Sequence, residues 1–426
     1  MNFYFDAAKT LETLETRKGS IKGVLATLPE KNRKRCSALV IETLKYKAPL
    51  MEIIKASDLL KEKKLNLNLA LLLVHDMLLA KGIQAGDGPI KQAVLRHKTR
   101  LNGELQKLKI KKGVAHTRDL ADNGDDRASL IPRYIRVNTS VWSTEAAVKE
   151  FISRGYVVGD PTQSKGFAHD EHIPNLLLFH PRATFHEDPL YLSGKIILQD
   201  KASCFPAVVL APPRSEDAVV IDATAAPGNK TSHLSALMGN KGKLYAFERD
   251  SKRYKTLQMM TSKAHCKNVE TLNQDFLTTD PADGHCSEVT HILLDPSCSG
   301  SGIVNRMDHL LAAEQEDDDQ EERLAKLAAF QLLMIRHAMK FPSVKRIVYS
   351  TCSVHATENE NVVREALKTE EASGIFELAP RTMVLPTWHR RGMPEEMDDP
   401  GTFMLSPPIS ALVLTCYSSR RLCCAM

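Results

Sequence analysis

From Phe3 to about Lys112 the apolar residues recur three and four apart, as in Ala7-Leu11-Leu14 and Leu69-Leu72-Leu73, with turn residues at Pro29, Pro49 and from Gly86 to Pro89. That period puts apolar side chains on one face of successive helices. Residues 1–114 are therefore expected to form a helical domain. The polar stretch that follows contains Asp122-Asn123-Gly124-Asp125-Asp126, so residues 115–129 read as a linker. Pro132 to Asn138 then reads as a strand, Thr144 to Arg154 as a helix and Tyr156-Val157-Val158 as a second strand, which makes residues 130–193 a small α+β module.

Beyond Gly194 short apolar strands alternate with helices: Val219-Val220-Ile221, Leu244-Tyr245-Ala246-Phe247, His291-Ile292-Leu293-Leu294 and Arg346-Ile347-Val348-Tyr349. Such alternation predicts an α/β domain over residues 194–426, a mostly parallel sheet flanked by helices with its ligand crevice at the carboxyl ends of the strands.

Length and composition narrow this picture. A chain of 426 residues is too long for one compact core, and its 43% hydrophobic content suits globular folding into two or three domains. The net charge of +5 is too small to mark a nucleic-acid binder, but charge is uneven along the chain. Between Lys91 and Lys112 eight lysines and arginines face a single Glu104, with Val94, Leu95, Leu101, Leu105 and Leu108 on an apolar side. A solvated helix face and a phosphate-binding face explain that pattern equally well. The acidic run Glu314 to Glu322 reads as an exposed surface insertion.

The nine cysteines form no C-x-x-C pair and none stands with histidines at zinc-ligand spacing, so neither a disulfide framework nor a metal site is expected. Met1 to Ser20 carries Asp6, Glu12 and Glu15 and lacks the apolar centre of a secretion signal, and no stretch is apolar for membrane-spanning length. A soluble protein of a reducing intracellular compartment is expected, without a membrane partner. Cys423-Cys424-Ala425-Met426 has the outline of a prenylation box, but Cys424 is a poor aliphatic substitute and the tetrapeptide reads as a chance tail.

Two constellations carry chemistry. The first is Asp222-Ala223-Thr224-Ala225-Ala226-Pro227-Gly228-Asn229-Lys230-Thr231, which follows the first strand and opens a helix. Small residues let a ligand approach the backbone, and the helix start offers unpaired N–H groups. The loop has neither G-x-G-x-x-G nor G-x-x-x-x-G-K-[ST], which argues against dinucleotide and phosphate-loop sites. Glu248 ends the second strand, where a carboxylate accepts from two ribose hydroxyls; Arg253 lies in the next helix as electrostatic support, and Asp275 follows the third strand, placed to accept from an adenine amino group.

The second constellation is a pair of cysteines beyond successive strands, Cys298 in Asp295-Pro296-Ser297-Cys298-Ser299-Gly300-Ser301-Gly302 and Cys352 in Tyr349-Ser350-Thr351-Cys352-Ser353. A lone cysteine is usually a small buried apolar residue, which is the reading for Cys204, Cys266 and Cys286. Polar, flexible loops surround Cys298 and Cys352 and point to function instead.

Together these segments resemble the Sun-domain family of RNA cytosine-5 methyltransferases, from roughly Pro132 to Arg391. Ala225 to Thr231 is similar to the family's methyl-donor loop, Asp295 and Cys298 to its aspartate–cysteine element, Thr351-Cys352-Ser353 to its nucleophile element and Pro132 to Asn138 to its RNA-binding module. The resemblance implies a class I methyltransferase (Rossmann-like) fold and S-adenosyl-L-methionine held by Thr224 to Lys230, Glu248, Arg253, Asp275 and Asp295. Catalysis would rest on Cys352 as nucleophile at carbon-6 of cytosine, Asp295 at N3 and Cys298 in the elimination. The wording around both cysteines is most similar to the eukaryotic subgroup acting on large-subunit ribosomal RNA, which implies an RNA partner and a place in the nucleolus of the nucleus. Transfer RNA is the rival substrate, and a noncatalytic assembly factor the rival class, which would require neither cysteine. A small-molecule methyltransferase is disfavoured by the additional N-terminal modules.

Two departures from the family pattern stand out. The family commonly has Asp-x-Pro-Cys, whereas proline here holds the second place and serine precedes Cys298. A glycine-aromatic strand is expected after a segment like Trp388 to Gly392 and is not evident; Ser410 to Thr415 is a candidate replacement.

Overall fold

The computed structural model describes residues 1–16, 21–122, 130–303, 310, 317–392, 404–405 and 412–418. The chain divides into two units, Met1–Asp126 with Asn305–Glu316, and Arg127–Val304 with Asp317–Met426.

The first unit is helical, as its 3.6-residue pattern requires: α1 (Asn2–Glu15), α2 (Ile21–Ala26), α3 (Glu30–Lys45), α4 (Lys47–Ala56), α5 (Leu67–Leu79), α6 (Pro89–Arg96) and α7 (Lys98–Lys112). Helix α5 is apolar nearly all round and is therefore central, with Leu69 through Val74 buried. Asn66 caps it by accepting from Leu69 N–H at 2.8 Å. The basic stretch from Lys91 is two helices that meet at His97. Its apolar residues Val94, Leu101, Leu105 and Leu108 are in the core. Lys91, Arg96, Arg100, Lys107 and Lys111 pair with Asp87, Glu62, Asp58, Glu104 and Glu52 within the same unit. Of these acids Glu52, Asp58 and Glu62 are distant in sequence, so the local pattern could not reveal them; they partly neutralise this face and favour the solvated reading.

Within the expected linker Thr117–Leu120 forms a short 3-10 turn, and residues 123–129 lie outside the described residues. Of the acidic run, Glu314 to Glu316 also lie outside them, whereas Asp317 opens a 23-residue helix. That part is the first turn of a helix rather than an insertion, for carboxylates suit the positive end of a helix dipole.

The second unit holds two sheets. Strands β1 (Arg133–Val137), β2 (Val157–Val158), β3 (Gly166–His169), β4 (Leu176–Phe179) and β5 (Ile196–Leu198) lie in the order β2-β3-β4-β1-β5, with α8 (Thr144–Ser153) and α9 (Pro189–Leu192) between them in the chain. Phe151, Phe167, Phe179 and Phe185 fill their core. The small module therefore extends past the expected boundary at Gly194. Ile196-Ile197-Leu198 is an apolar run suited to either sheet, and antiparallel pairing with β1 assigns it to the first. Arg136, fully buried, leaves this sheet to donate to Gln199 Oε1 at 2.7 Å and to Ser232 Oγ at 2.8 Å.

After α10 (Lys201–Leu210) come β6 (Val219–Asp222), α11 (Asn229–Met238), β7 (Lys243–Phe247), α12 (Ser251–Lys263), β8 (Val269–Leu272), β9 (His291–Leu294), α13 (Asp317–Met339), β10 (Arg346–Thr351), α14 (Glu360–Leu367), β11 (Phe376–Leu378), β12 (Met404–Leu405) and β13 (Leu412–Ser418). The sheet order is β11-β13-β10-β9-β6-β7-β8, with β12 against β13. Strands β10, β9, β6, β7 and β8 are parallel. The chain winds outward from β6 in one direction and from β9 in the other, so a crevice opens at their carboxyl ends. Strand β13 covers the edge of β10 in antiparallel register and takes the place for which Ser410 to Thr415 was the candidate, although residues 410 and 411 lie outside the described residues. Cys423 to Met426 lie outside them too.

Candidate active site

The carboxyl ends of the five parallel strands surround a cavity of about 250 Å³. After β6, Ala223 and Thr224 line it; after β7, Glu248 and Arg249; after β8, Gln274 and Asp275; after β9, Asp295 and Cys298; after β10, Cys352. Phe276, Phe330 and Met334 supply an apolar wall. Six residues singled out in the sequence therefore meet in one place, from segments up to 128 residues apart, because successive parallel strands end on the same side. Arg253, from α12, is the seventh.

The Thr224-to-Lys230 loop divides its work. Thr224 lines the cavity and its Oγ1 accepts from the Asp295 N–H at 3.0 Å. Ala225, Ala226, Pro227, Gly228, Asn229 and Lys230 are not among the residues facing it, and Lys230 pairs with Asp295. Ala225 N–H instead donates to the Phe247 carbonyl at 2.9 Å, and the Ala226 carbonyl accepts from Arg253 at 2.8 Å, so these residues brace the loop against β7 and α12. Gly228 has φ of +111° at the start of α11, and a Cβ there would lie 3.3 Å from Leu257 and Met260, which accounts for glycine.

Glu248 is 5% exposed. One of its oxygens accepts from Asp250 N–H at 2.9 Å and the other lies 3.4 Å from Arg253. Asp275 accepts from Leu277 N–H at 3.0 Å and faces Arg249 at 3.5 Å. Two carboxylates held by backbone donors in a cavity with an apolar wall fit an adenosyl group, whose ribose and adenine offer hydroxyl and amino donors. Beneath them burial pushes Asp222 up to about 6, against the hydrogen bond from the Thr231 hydroxyl.

Asp295 is held on both oxygens, by Ser350 Oγ at 2.8 Å and by Lys230 Nζ at 2.7 Å. Burial opposes the charge on Lys230, but the Asp295 carboxylate outweighs it and holds the ammonium above its ordinary value. Cys298 Sγ lies 2.9 Å from Cys352 Sγ and accepts from Cys352 N–H at 3.3 Å. The Cys352 thiol, donating to Cys298, and the N–H groups of Cys352 and Gly300 lower the Cys298 pKa although burial raises it. The same hydrogen bond, followed by burial, raises that of Cys352. The pair thus ionises first at Cys298. The unexpected proline of Asp295-Pro296-Ser297-Cys298 leaves both Asp295 and Cys298 directed into the cavity.

Sequence reading missed Arg249, Gln274, Phe330 and Met334. Arg249 and Gln274 each adjoin a residue it did select, while Phe330 and Met334 sit on α13 among ordinary apolar positions and carried no signal. Among the described residues no group of His, Cys, Asp or Glu is placed to hold a metal, and no helix is long and apolar enough to cross a membrane.

Known proteins resemble the chain throughout. The 16S rRNA methyltransferase RsmB/F family matches residues 207–404. The N-terminal and ferredoxin-like domains of NOL1/NOP2/Sun domain family member 5 match residues 34–121 and 131–199. The 25S rRNA (cytosine-C(5))-methyltransferase rcm1 of Schizosaccharomyces pombe is 46% identical over 94% of this chain and 86% of its own length. The 28S rRNA (cytosine-C(5))-methyltransferase of Mus musculus is 44% identical over 92% of this chain and 85% of its own. A methyltransferase homologue from Pyrococcus horikoshii, 25% identical, superposes with a TM-score of 0.53 over 68% of this chain and 88% of its own. NSun6 from the same organism, solved with SFG and 18% identical, shares the fold at 0.53 over 76% and 95%. Similarity of this depth over nearly the whole chain means that the protein belongs to the NOL1/NOP2/Sun family of S-adenosylmethionine-dependent RNA (cytosine-C5)-methyltransferases.

Proposed function

We propose that the protein methylates carbon-5 of a cytosine in large-subunit ribosomal RNA through a covalent adduct with Cys352. The observation that carries this reading is the juxtaposition of Cys298 and Cys352, 2.9 Å apart, beside Asp295 at one end of the donor cavity. The names of the relatives at 46% and 44% identity support the choice of RNA.

Carbon-5 of cytosine is a weak nucleophile and must be activated. The Cys352 thiol gives up its proton to solvent, and its thiolate forms a bond to carbon-6. The carbon-5–carbon-6 double bond opens, and N3 takes a proton that the Lys230 ammonium passes through the Asp295 carboxylate, which Ser350 and Lys230 orient. Glu248, Arg253 and Asp275, with Thr224 beside them, would hold S-adenosylmethionine, which would supply an electrophilic methyl group to carbon-5, its sulfur–methyl bond breaking to leave S-adenosylhomocysteine. Cys298 as thiolate then removes the carbon-5 proton, the double bond re-forms, Cys352 leaves as thiolate and the N3 proton returns through Asp295 to Lys230. The base must be unstacked for both faces of its ring to be reached.

Work on ribosomal RNA supports a nuclear protein, and this reading extends that to the nucleolus, which imaging of the tagged chain tests. Bisulfite sequencing of total RNA from cells with and without the protein tests the substrate. A cytosine of large-subunit RNA should lose protection when the protein is absent; loss confined to transfer RNA would contradict the proposal.

A further inference from the structure

Beneath the cavity, two residues adjacent in the chain grip the two cysteine loops. Glu358 is fully buried, and a single oxygen, Oε1, accepts from Ser299 N–H at 2.9 Å and from Gln331 Nε2 at 3.0 Å. Gln331, also fully buried, donates in addition to the Ser297 carbonyl at 3.0 Å. The peptide groups on both sides of Cys298 are therefore fixed. Asn359, next to Glu358, holds the residues on either side of Cys352, accepting from the Thr351 hydroxyl at 2.6 Å and donating to the Ser353 carbonyl at 3.0 Å. The Tyr349 hydroxyl lies 2.7 Å from the Glu358 carbonyl and 3.0 Å from Gln331 Oε1, which ties the gripping segment to β10.

Burying a carboxylate and two amides under a reaction site is costly unless their bonds are used. Here the bonds to Ser297, Ser299, Thr351 and Ser353 end on the residues flanking Cys298 and Cys352, while the second Glu358 oxygen is buried without a bond. A separation of 2.9 Å between two sulfurs on different loops requires both loops to be held to a fraction of an ångström, and packing of short serine-rich loops alone does not supply that.

We infer that Glu358 and Asn359 are positioning residues that set the thiol separation, Glu358 with Gln331 acting on Cys298 and Asn359 acting on Cys352. The inference rests on the proposed roles of the two cysteines. It divides the reaction: disturbing Glu358 slows release, and disturbing Asn359 slows adduct formation.

The test uses the full chain, labelled large-subunit ribosomal RNA from cells lacking the protein, and a denaturing gel, with Cys298→Ala and Cys352→Ala in parallel. Donor binding by calorimetry reports folding. Glu358→Ala should accumulate covalent protein–RNA complex and lose turnover by about 100-fold, the effect of an ångström-scale displacement. Glu358→Gln keeps an acceptor oxygen and should turn over near the parental rate. Asn359→Ala should lower kcat with the KM for RNA unchanged and should accumulate no complex. If Glu358→Ala does not bind donor, Gln331→Leu, which frees the Ser297 carbonyl at similar volume, must show the release defect. Parental turnover in the folded variant, or the same defect from Glu358→Ala and Asn359→Ala, overturns the inference. Failure of the two cysteine variants to show opposite behaviour overturns the underlying reading instead.

Discussion

Cys298 Sγ lies 2.9 Å from Cys352 Sγ, closer than unbonded sulfurs normally pack and farther than the roughly 2.0 Å of a disulfide. The Cys352 thiol donating to Cys298, together with the backbone N–H groups of Cys352 and Gly300, favours the negative charge on Cys298 first. In the free protein the more acidic thiol is thus the one proposed to finish the reaction.

Alkylation follows this asymmetry. Because its pKa is lowered, Cys298 should react with iodoacetamide at a lower pH than an ordinary thiol, while Cys352 resists. Cys352→Ala removes the largest cause of the lowering, so the pH midpoint for Cys298 should move up. Peptide mass mapping across a pH series measures both; an unmoved midpoint would mean that the two thiols do not share a proton.

Donor affinity should depend on Glu248. Replacing this buried, backbone-held carboxylate by alanine removes charge-assisted hydrogen bonds worth about 1.5–3 kcal/mol, or roughly 10- to 100-fold in affinity. Calorimetry with S-adenosylmethionine reads the change. Parental affinity would take Glu248 out of the ribose contact.

Asp295→Asn keeps the shape of the carboxylate but cannot deliver an acidic proton to N3. Single-turnover methylation at saturating donor should fall by about 10²- to 10⁴-fold, the usual contribution of a positioned acid or base. A loss of donor affinity with no loss of rate at saturation would assign Asp295 to binding alone.

Asp222 ties stability to pH. Its folded pKa of about 6 lies above the ordinary value near 3.8, so its contribution to stability is fully present below the ordinary value and is lost as pH rises through about 6. Asp222→Asn should flatten that part of the pH dependence of Tm in the donor-free protein. An unchanged profile would mean that Asp222 titrates normally.

How far the sequence reveals these relationships depends on their range. The strands ending at Asp222, Phe247, Leu294 and Thr351 announce themselves through local apolar runs, the one ending at Leu272 less so, and parallel winding then brings together the residues that follow them. Pairing partners are less accessible. Ile196 to Leu198 gives no sign that it joins β1, and Leu412 to Ser418 becomes recognisable only when set against β10. The grip on the cysteines is hidden for the same reason: Glu358 and Asn359 look like an ordinary polar helix start until Ser299, Thr351 and Ser353 fold against them. The basic stretch from Lys91 errs the other way, since Glu52, Asp58 and Glu62 approach it only in three dimensions.

The most direct test of the mechanism separates the two cysteines on a denaturing gel with labelled RNA. Cys352→Ala should give neither methylation nor a covalent complex while binding S-adenosylmethionine, and Cys298→Ala should trap protein on RNA because elimination stalls after the adduct has formed. A covalent complex from Cys352→Ala and none from Cys298→Ala would reverse the roles, and full methylation by both variants would contradict the adduct mechanism itself.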